Sequence, residues 1–189
     1  MTVRDILLLG DPELRRVAAP ADPDALARGE YQELVDDLVH TMRHANGAGL
    51  AATQIGVHVR IVALEVDDNP RYPYKPKIPL TIAVNPVLEP IGDETFANYE
   101  GCLSVPGLRG MVARRRHLRV RWLDPHGQSH EQVVHGLTAG TWQHECDHLD
   151  GKLFVDRVTD TSTFTTWDNF KRHHEAAFVE RVKALHPEE

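Results

Sequence analysis

The stretch Gln143-His144-Glu145-Cys146-Asp147-His148 sets two histidines four residues apart, with a glutamate beside the first. On a helix, positions i and i+4 lie one turn apart on one face, so both imidazoles can reach a single metal ion while Glu145 contacts water beside it. Random shuffling of this composition yields only roughly 0.05 matches to His-Glu-x-x-His. Two imidazoles leave a catalytic metal one protein ligand short, because such sites usually supply three and keep a position for water. No histidine or glutamate follows at the spacing His-Glu-x-x-His-x-x-Gly-x-x-His, and Gly151, Lys152 and Leu153 lead directly into strand-like sequence. The third ligand is then a later His or Glu, or a cysteine from elsewhere.

The chain has two cysteines, far too few for a disulfide scaffold. Cys146 follows His144 by two residues, about 200° round a helix, so it points away from a metal held by His144 and His148 and reads as a small buried apolar residue. Cys102 sits in Glu100-Gly101-Cys102-Leu103-Ser104-Val105-Pro106-Gly107, where a glycine lets backbone approach a ligand and Pro106-Gly107 marks a strand leaving into a turn. A metal thiolate and an ordinary buried thiol both fit that setting. A third segment, Gly47-Ala48-Gly49-Leu50-Ala51-Ala52-Thr53-Gln54-Ile55-Gly56, is nearly all small residues with one amide side chain. Its glycines suit either a helix stop and tight turn, or backbone passing close to a substrate while the Gln54 amide N–H reaches a developing oxyanion.

Composition and periodicity define the elements that must position these residues. The 189 residues are 41% hydrophobic and 26% charged, which suits one packed domain spanning 1–189. Lys and Arg number 21 against 28 Asp and Glu, a net charge of −7 that excludes a protein built to grip phosphate backbone, so no specific DNA binding is expected. No apolar run approaches the ~18 residues that span a bilayer, so no membrane association is expected. The opening MTVRDILLLGDPELRR has no secretory or transit pattern, and a reducing cytoplasm is the expected compartment.

Leu34, Leu38 and Met42, with Val35 and Val39 alongside, recur at steps of three and four and predict a helix over 31–45. From Val59 to about Val134 come short β-rich runs, VRIVALEV, LTIAVNP, HLRVRWLD and HEQVV. Within them Leu118, Val120 and Trp122 alternate with Arg119 and Arg121 as in a half-buried strand. Asp67 to Pro79 carries four prolines and reads as a surface loop. Helical pattern returns from Leu137 to about Asp150 with Gly151 just past its end, and a last helix is expected over about 165–185 before the His-Pro-Glu-Glu tail. Helix, many short strands, then two helices is an α+β order.

Taken together and in this order, GAGLAATQIG, EGCLSVPG and QHECDHLDG resemble the three signature motifs of the peptide deformylases. Supporting resemblance runs from Leu8, Gly10-Asp11-Pro12 and Leu14-Arg15 to Gly151-Lys152-Leu153-Phe154-Val155-Asp156-Arg157. That family removes the formyl group from the N-terminal formyl-methionine of newly made polypeptides and releases formate. The resemblance implies an α+β fold with antiparallel β-sheets around a central helix that carries the His-Glu-x-x-His motif. It implies that Cys102, His144 and His148 hold one divalent metal ion, Fe(II) in the cell, with Zn, Ni or Co tolerated. Glu145 would take a proton from the attacking water and hand it to the leaving amine, while the Gln54 amide and the Leu103 backbone N–H hold the formyl oxygen as it becomes negative. Backbone at Gly49 and Gly101 would run beside the substrate like an added strand. Arg109 would brace the site with Glu100, and Leu137 belongs to the helix segment that lines the pocket for the first side chain. The implied partners are formyl-methionyl nascent polypeptides in a bacterial cytoplasm. Any contact with the ribosome would be local and weak, and Arg114 to Arg116 reads as a solvated edge.

One segment departs from the family pattern, since bulkier apolar residues are commoner at the places of Gly140 and Thr141. A roomier or more polar pocket, with looser selectivity for the first residue, is expected. Two rival readings remain open on the residues alone. A metallopeptidase would need its third ligand downstream of the helix, where the chain offers no convincing candidate. A purely structural metal site in a protein that binds nascent chains would need a closed set of four ligands.

Overall fold

The computed structural model describes residues 2–185, so the His-Pro-Glu-Glu tail lies outside the described residues. Helices α1 (Pro23–Ala27) and α2 (Gln32–His44) come first. Strands β1 (Gly49–Ala51), β2 (Ile61–Val66), β3 (Ile78–Pro90), β4 (Thr95–Cys102), β5 (Val105–Arg115), β6 (His117–Leu123) and β7 (Ser129–His135) follow. Helix α3 (Gly136–Leu149), the two-residue β8 (Thr165–Thr166), and helices α4 (Trp167–His173) and α5 (Glu175–Lys183) complete the chain. The strands make two antiparallel sheets, a five-stranded one ordered β1-β2-β3-β6-β7 and a three-stranded one ordered β4-β5-β8.

Helix α3 lies between the sheets. Its Ala139, Trp142, Cys146 and Leu149 pack with Val62, Leu64, Leu118 and Val120 of the larger sheet, while Leu137 packs with Phe96 and Tyr99 of β4. A helix enclosed on both sides needs no polar stripe, which is why small and apolar residues surround its few functional ones. The helix stops where Gly151 was expected to stop it. Gly151 has φ +69°, its N–H donates to the His148 carbonyl at 3.1 Å, and the Lys152 N–H reaches the Asp147 carbonyl at 2.9 Å, the two bonds of a Schellman end. A Cβ there would also come within 2.4 Å of the Arg15 carbonyl oxygen, so glycine is required twice over.

Two segments differ from the sequence expectation. Pro106-Gly107 is not the turn after Cys102; the turn is Leu103-Ser104, because Cys102 pairs with Val105 while Gly101 pairs with Arg109. Pro106, Gly107 and Leu108 therefore form a bulge on β5, and Leu108 turns to pair with Thr166 of β8. The last helix is broken at His174 into α4 and α5. Phe170 and Phe178, eight residues apart, would diverge by about 80° on one continuous helix. The break lets both rings pack on Tyr99, at 5.2 and 5.8 Å between centroids.

Candidate metal centre and active site

The Cys102 Sγ and one ring nitrogen from each of His144 and His148 all lie within 4.8 Å of one another. α3 supplies the histidines from one face, and the β4 end supplies the thiol, with Cys102 Sγ 3.3 Å from His148 Nε2. The N-terminal strand-like segment ties the remaining pieces down. The Leu7 N–H donates to the Gln54 carbonyl at 2.8 Å and the Leu9 N–H to the Ser104 carbonyl at 2.7 Å. Gln54 is fixed at both ends of its amide. Its Oε1 accepts the Ala51 N–H at 2.9 Å, and its Nε2 donates to Ser104 Oγ at 3.1 Å and lies 3.5 Å from Cys102 Sγ.

A second ring of charges orients the first. Glu100 Oε2 sits 2.8 Å from His144 Nδ1, leaving Nε2 for a ligand role. Arg114 clasps Glu100 with two bonds of 2.7 and 2.8 Å and reaches Asp147 at 2.6 Å, and Arg157 closes on the far side of Asp147 at 2.6 Å. Burial opposes a charge on Glu100, but Arg114 and His144 hold its carboxyl well below the usual carboxylate range. Burial, with His144 and Arg114 nearby, holds the His148 ring well below the usual imidazole range, in the neutral form that binds metals. Burial pushes Glu145 up to about 7, and its Oε2 is a buried atom with no hydrogen-bond partner. Two imidazoles, a thiol, a carboxylate behind one imidazole and an unpartnered carboxylate oxygen beside them together fit a divalent ion with an open position. Cys146, on the opposite face of α3, is buried in the core, and burial pushes its thiol up.

The cavity beside this cluster is lined by Gly49, Gln54, Gly101 and Leu103 near the cysteine, and by Thr141 and Glu145 from α3. Gly49 is there because nothing larger fits: a Cβ would lie 2.4 Å from Glu145 Oε1. Gly101 differs, since the nearest atom to a Cβ there is the Leu108 carbonyl oxygen at 3.4 Å, an ordinary contact.

Several sequence expectations are corrected. Arg109 does not brace Glu100; Arg114 does. Arg109 points to the other face of β5, where it bonds the Tyr99 carbonyl and the Tyr74 hydroxyl and lies over the Trp167 and Phe170 rings at 4.3 and 4.0 Å. Arg114 is not part of a solvated edge, being 3% exposed, whereas Arg115 and Arg116 lie near the surface, paired with Asp93 and Glu94. Leu137 is packed behind the wall with Phe96, Tyr99 and Phe170, and the α3 residues that face the cavity are Gly140, Thr141, His144 and Glu145. The segment from Asp67 to Pro79 is more than a surface loop, because Tyr72, Tyr74 and Lys75 form one wall of the cavity. Gly140 gives no extra room: Asn98 Nδ2 and Phe96 Cζ lie 3.1 and 3.2 Å from where its Cβ would be. Asn98, Thr141 and Lys75 put polar groups on the walls of the pocket.

The sequence profile of the polypeptide deformylase family matches residues 3–164. The chain belongs to the polypeptide deformylase family. It is 49% identical to peptide deformylase 1 of Bordetella pertussis over 162 residues, 86% of this chain and 91% of that one. Against peptide deformylase 2 of Pseudomonas putida the identity is 43% over 162 residues, with the same coverage of 86% and 91%. A crystal structure of the class I type b peptide deformylase of Acinetobacter baumannii with Met-Ala-Ser bound superposes with a TM-score of 0.79 at 36% identity, covering 83% of this chain and 99% of that one. As a peptide deformylase the chain is a metal-dependent hydrolase that removes the N-formyl group from newly made peptides. Its relatives named here are bacterial, and no helix among the described residues is long and apolar enough to cross a membrane.

Proposed function

We propose that Cys102, His144 and His148 hold the divalent ion of this deformylase, Fe(II) in the cell with Zn, Ni or Co able to take its place, and that Glu145 moves the protons. The observation that carries this reading is the unpartnered, buried Glu145 Oε2 beside three ligand atoms that lie within 4.8 Å of one another. A mixed N₂S donor set does not select one divalent ion by ligand type alone. When bound, the ion polarises the formyl carbonyl and makes water a better nucleophile.

Glu145, with its carboxyl raised to about 7, accepts the proton of the attacking water and returns it to the amide nitrogen as the C–N bond breaks, so that formate and the free amine leave. The Gln54 amide and the Leu103 backbone N–H donate to the formyl oxygen as it becomes negative, each worth ~3 kcal/mol in comparable sites. Gly49 and Gly101 flank the entering peptide as edges of an added strand, and the lack of room for a Cβ at Gly49, 2.4 Å from Glu145 Oε1, supports a close backbone approach on that side. A formyl-methionyl substrate, with relatives that are bacterial, supports the bacterial cytoplasm as the compartment. Arg115 and Arg116 already have carboxylate partners, so a ribosome contact on that edge is weak.

Anaerobic purification, metal analysis and a formate assay on a formyl-Met peptide test the assignment. Glu145→Gln should lower formate release by about 10²–10⁴-fold with metal content unchanged. Loss of metal and fold together would favour a structural site, and cleavage of internal peptide bonds would favour a peptidase.

A further inference from the structure

The part of the cavity wall formed by Tyr72, Lys75, Arg109 and Thr141 holds two cations with no carboxylate ion-pair partner among the described residues. Arg109 is 1% exposed, and its Nε and Nη1 are buried without a hydrogen-bond partner; its acceptors, the Tyr99 carbonyl and the Tyr74 hydroxyl, are both neutral. Lys75 Nζ donates to Thr141 Oγ1 at 3.0 Å, and Thr141 passes its own proton to the Leu137 carbonyl at 3.0 Å. The ammonium therefore meets a lone pair, and its other N–H groups are unspent on acceptors. Both cations lie over the Tyr72 ring, Lys75 Nζ at 4.7 Å and Arg109 Cζ at 5.8 Å. Arg109 is buried and Lys75 partly so, and Glu100 and Glu145 act on Lys75 without pairing with it, so a ligand anion that enters within hydrogen-bond reach would offset a remaining desolvation cost.

Resting on the deformylase reading above, we infer that this part of the cavity receives a carboxylate on the substrate's first side chain. Lys75 is then a specificity-determining residue, and N-formyl peptides that begin with glutamate are substrates alongside those that begin with methionine. Glutamate matches methionine in the number of chain atoms beyond Cβ, so it reaches the same depth. The walls agree with that chemistry: the Asn98 amide fills the place an apolar side chain at position 140 would take, and the Thr141 hydroxyl holds Lys75 at the wall. Burial lowers Lys75 to about 8, which leaves it charged at neutral pH.

The test compares kcat/KM for formyl-Glu-Ala-Ser and formyl-Met-Ala-Ser, with calorimetric binding of the product peptides Glu-Ala-Ser and Met-Ala-Ser as a readout that needs no turnover. Wild type should process the two formyl peptides within about 10-fold of each other, and Lys75→Met should lower the Glu to Met ratio by about 30-fold in both kcat/KM and affinity, as loss of a charged hydrogen bond does. Lys75→Arg, which keeps the charge, should restore most of it. Unchanged ratios in Lys75→Met, or formyl-Glu processed about 10²-fold more slowly than formyl-Met by wild type, would overturn the inference. Should neither peptide release formate, the catalytic assignment fails, and the product-binding ratio alone decides the role of Lys75.

Discussion

Arg109 and Arg114 stand five residues apart on β5, on opposite faces, and are buried to nearly the same degree, at 1% and 3% exposure. Their surroundings are opposite. Arg114 is locked between Glu100 and Asp147, and through Glu100 it sets the orientation of His144. Arg109 has aromatic rings and neutral oxygens around it and lines the cavity. One strand thus carries a compensated cation behind the Cys102, His144 and His148 cluster and an unpaired one that faces the cavity. Charge that the protein neutralises itself is structural, and charge it leaves unneutralised is available to a ligand.

The largest effect should come from Arg114→Met, which leaves Glu100 and Asp147 as buried carboxylates without their shared cation. Breaking such a network costs about 3–5 kcal/mol, and loosening the partner of a ligand histidine lowers metal affinity about 10–100-fold. Denaturant unfolding and a chelator competition assay measure the two. Arg109→Met should be milder, within about 1–2 kcal/mol, because it strands no carboxylate and removes one bond to a carbonyl and one to a hydroxyl. Its metal affinity should match wild type. Equal destabilisation by the two substitutions, or metal lost from Arg109→Met, would break the distinction between them.

What the sequence disclosed follows the same division. The central helix, its histidines and its end at Gly151 were legible because helical spacing and a left-handed glycine are local signals. So were β2, β3, β6 and β7, from their runs of apolar and alternating residues. The β4–β5 hairpin was not, because Pro106-Gly107 has the composition of a turn and yet forms a bulge held by β8. Arg114 was hidden inside a run of three arginines, and only the fold brings Glu100 and Asp147 to it. Lys75 lies in a proline-rich stretch that reads as solvent-exposed until Tyr72 is seen packed against Trp167 at 5.8 Å. Charge pairing over long sequence separation leaves no periodic trace, so the residues around the ligands were the ones missed.

The smallest effect sharpens the comparison most directly, because it reads the unpaired charge as stability. Burial is the main force lowering Lys75 from 10.5 to about 8, with Arg109 and Arg71 adding to it and Glu100 and Glu145 opposing it. Between those two values the unfolded chain binds the proton more readily than the folded one, so stability rises with pH across that window and the penalty is complete below about pH 8. Lys75→Met removes the penalty. After discounting for the partial exposure of this side chain, the gain is of order 1 kcal/mol, or about 2–4 °C in Tm for a domain of this size. The gain should be present at pH 7 and should close toward pH 10.5 as wild type sheds its proton. A variant no more stable than wild type at pH 7 would mean that the ammonium is already compensated in the free enzyme. The cavity would then hold no charge waiting for a substrate.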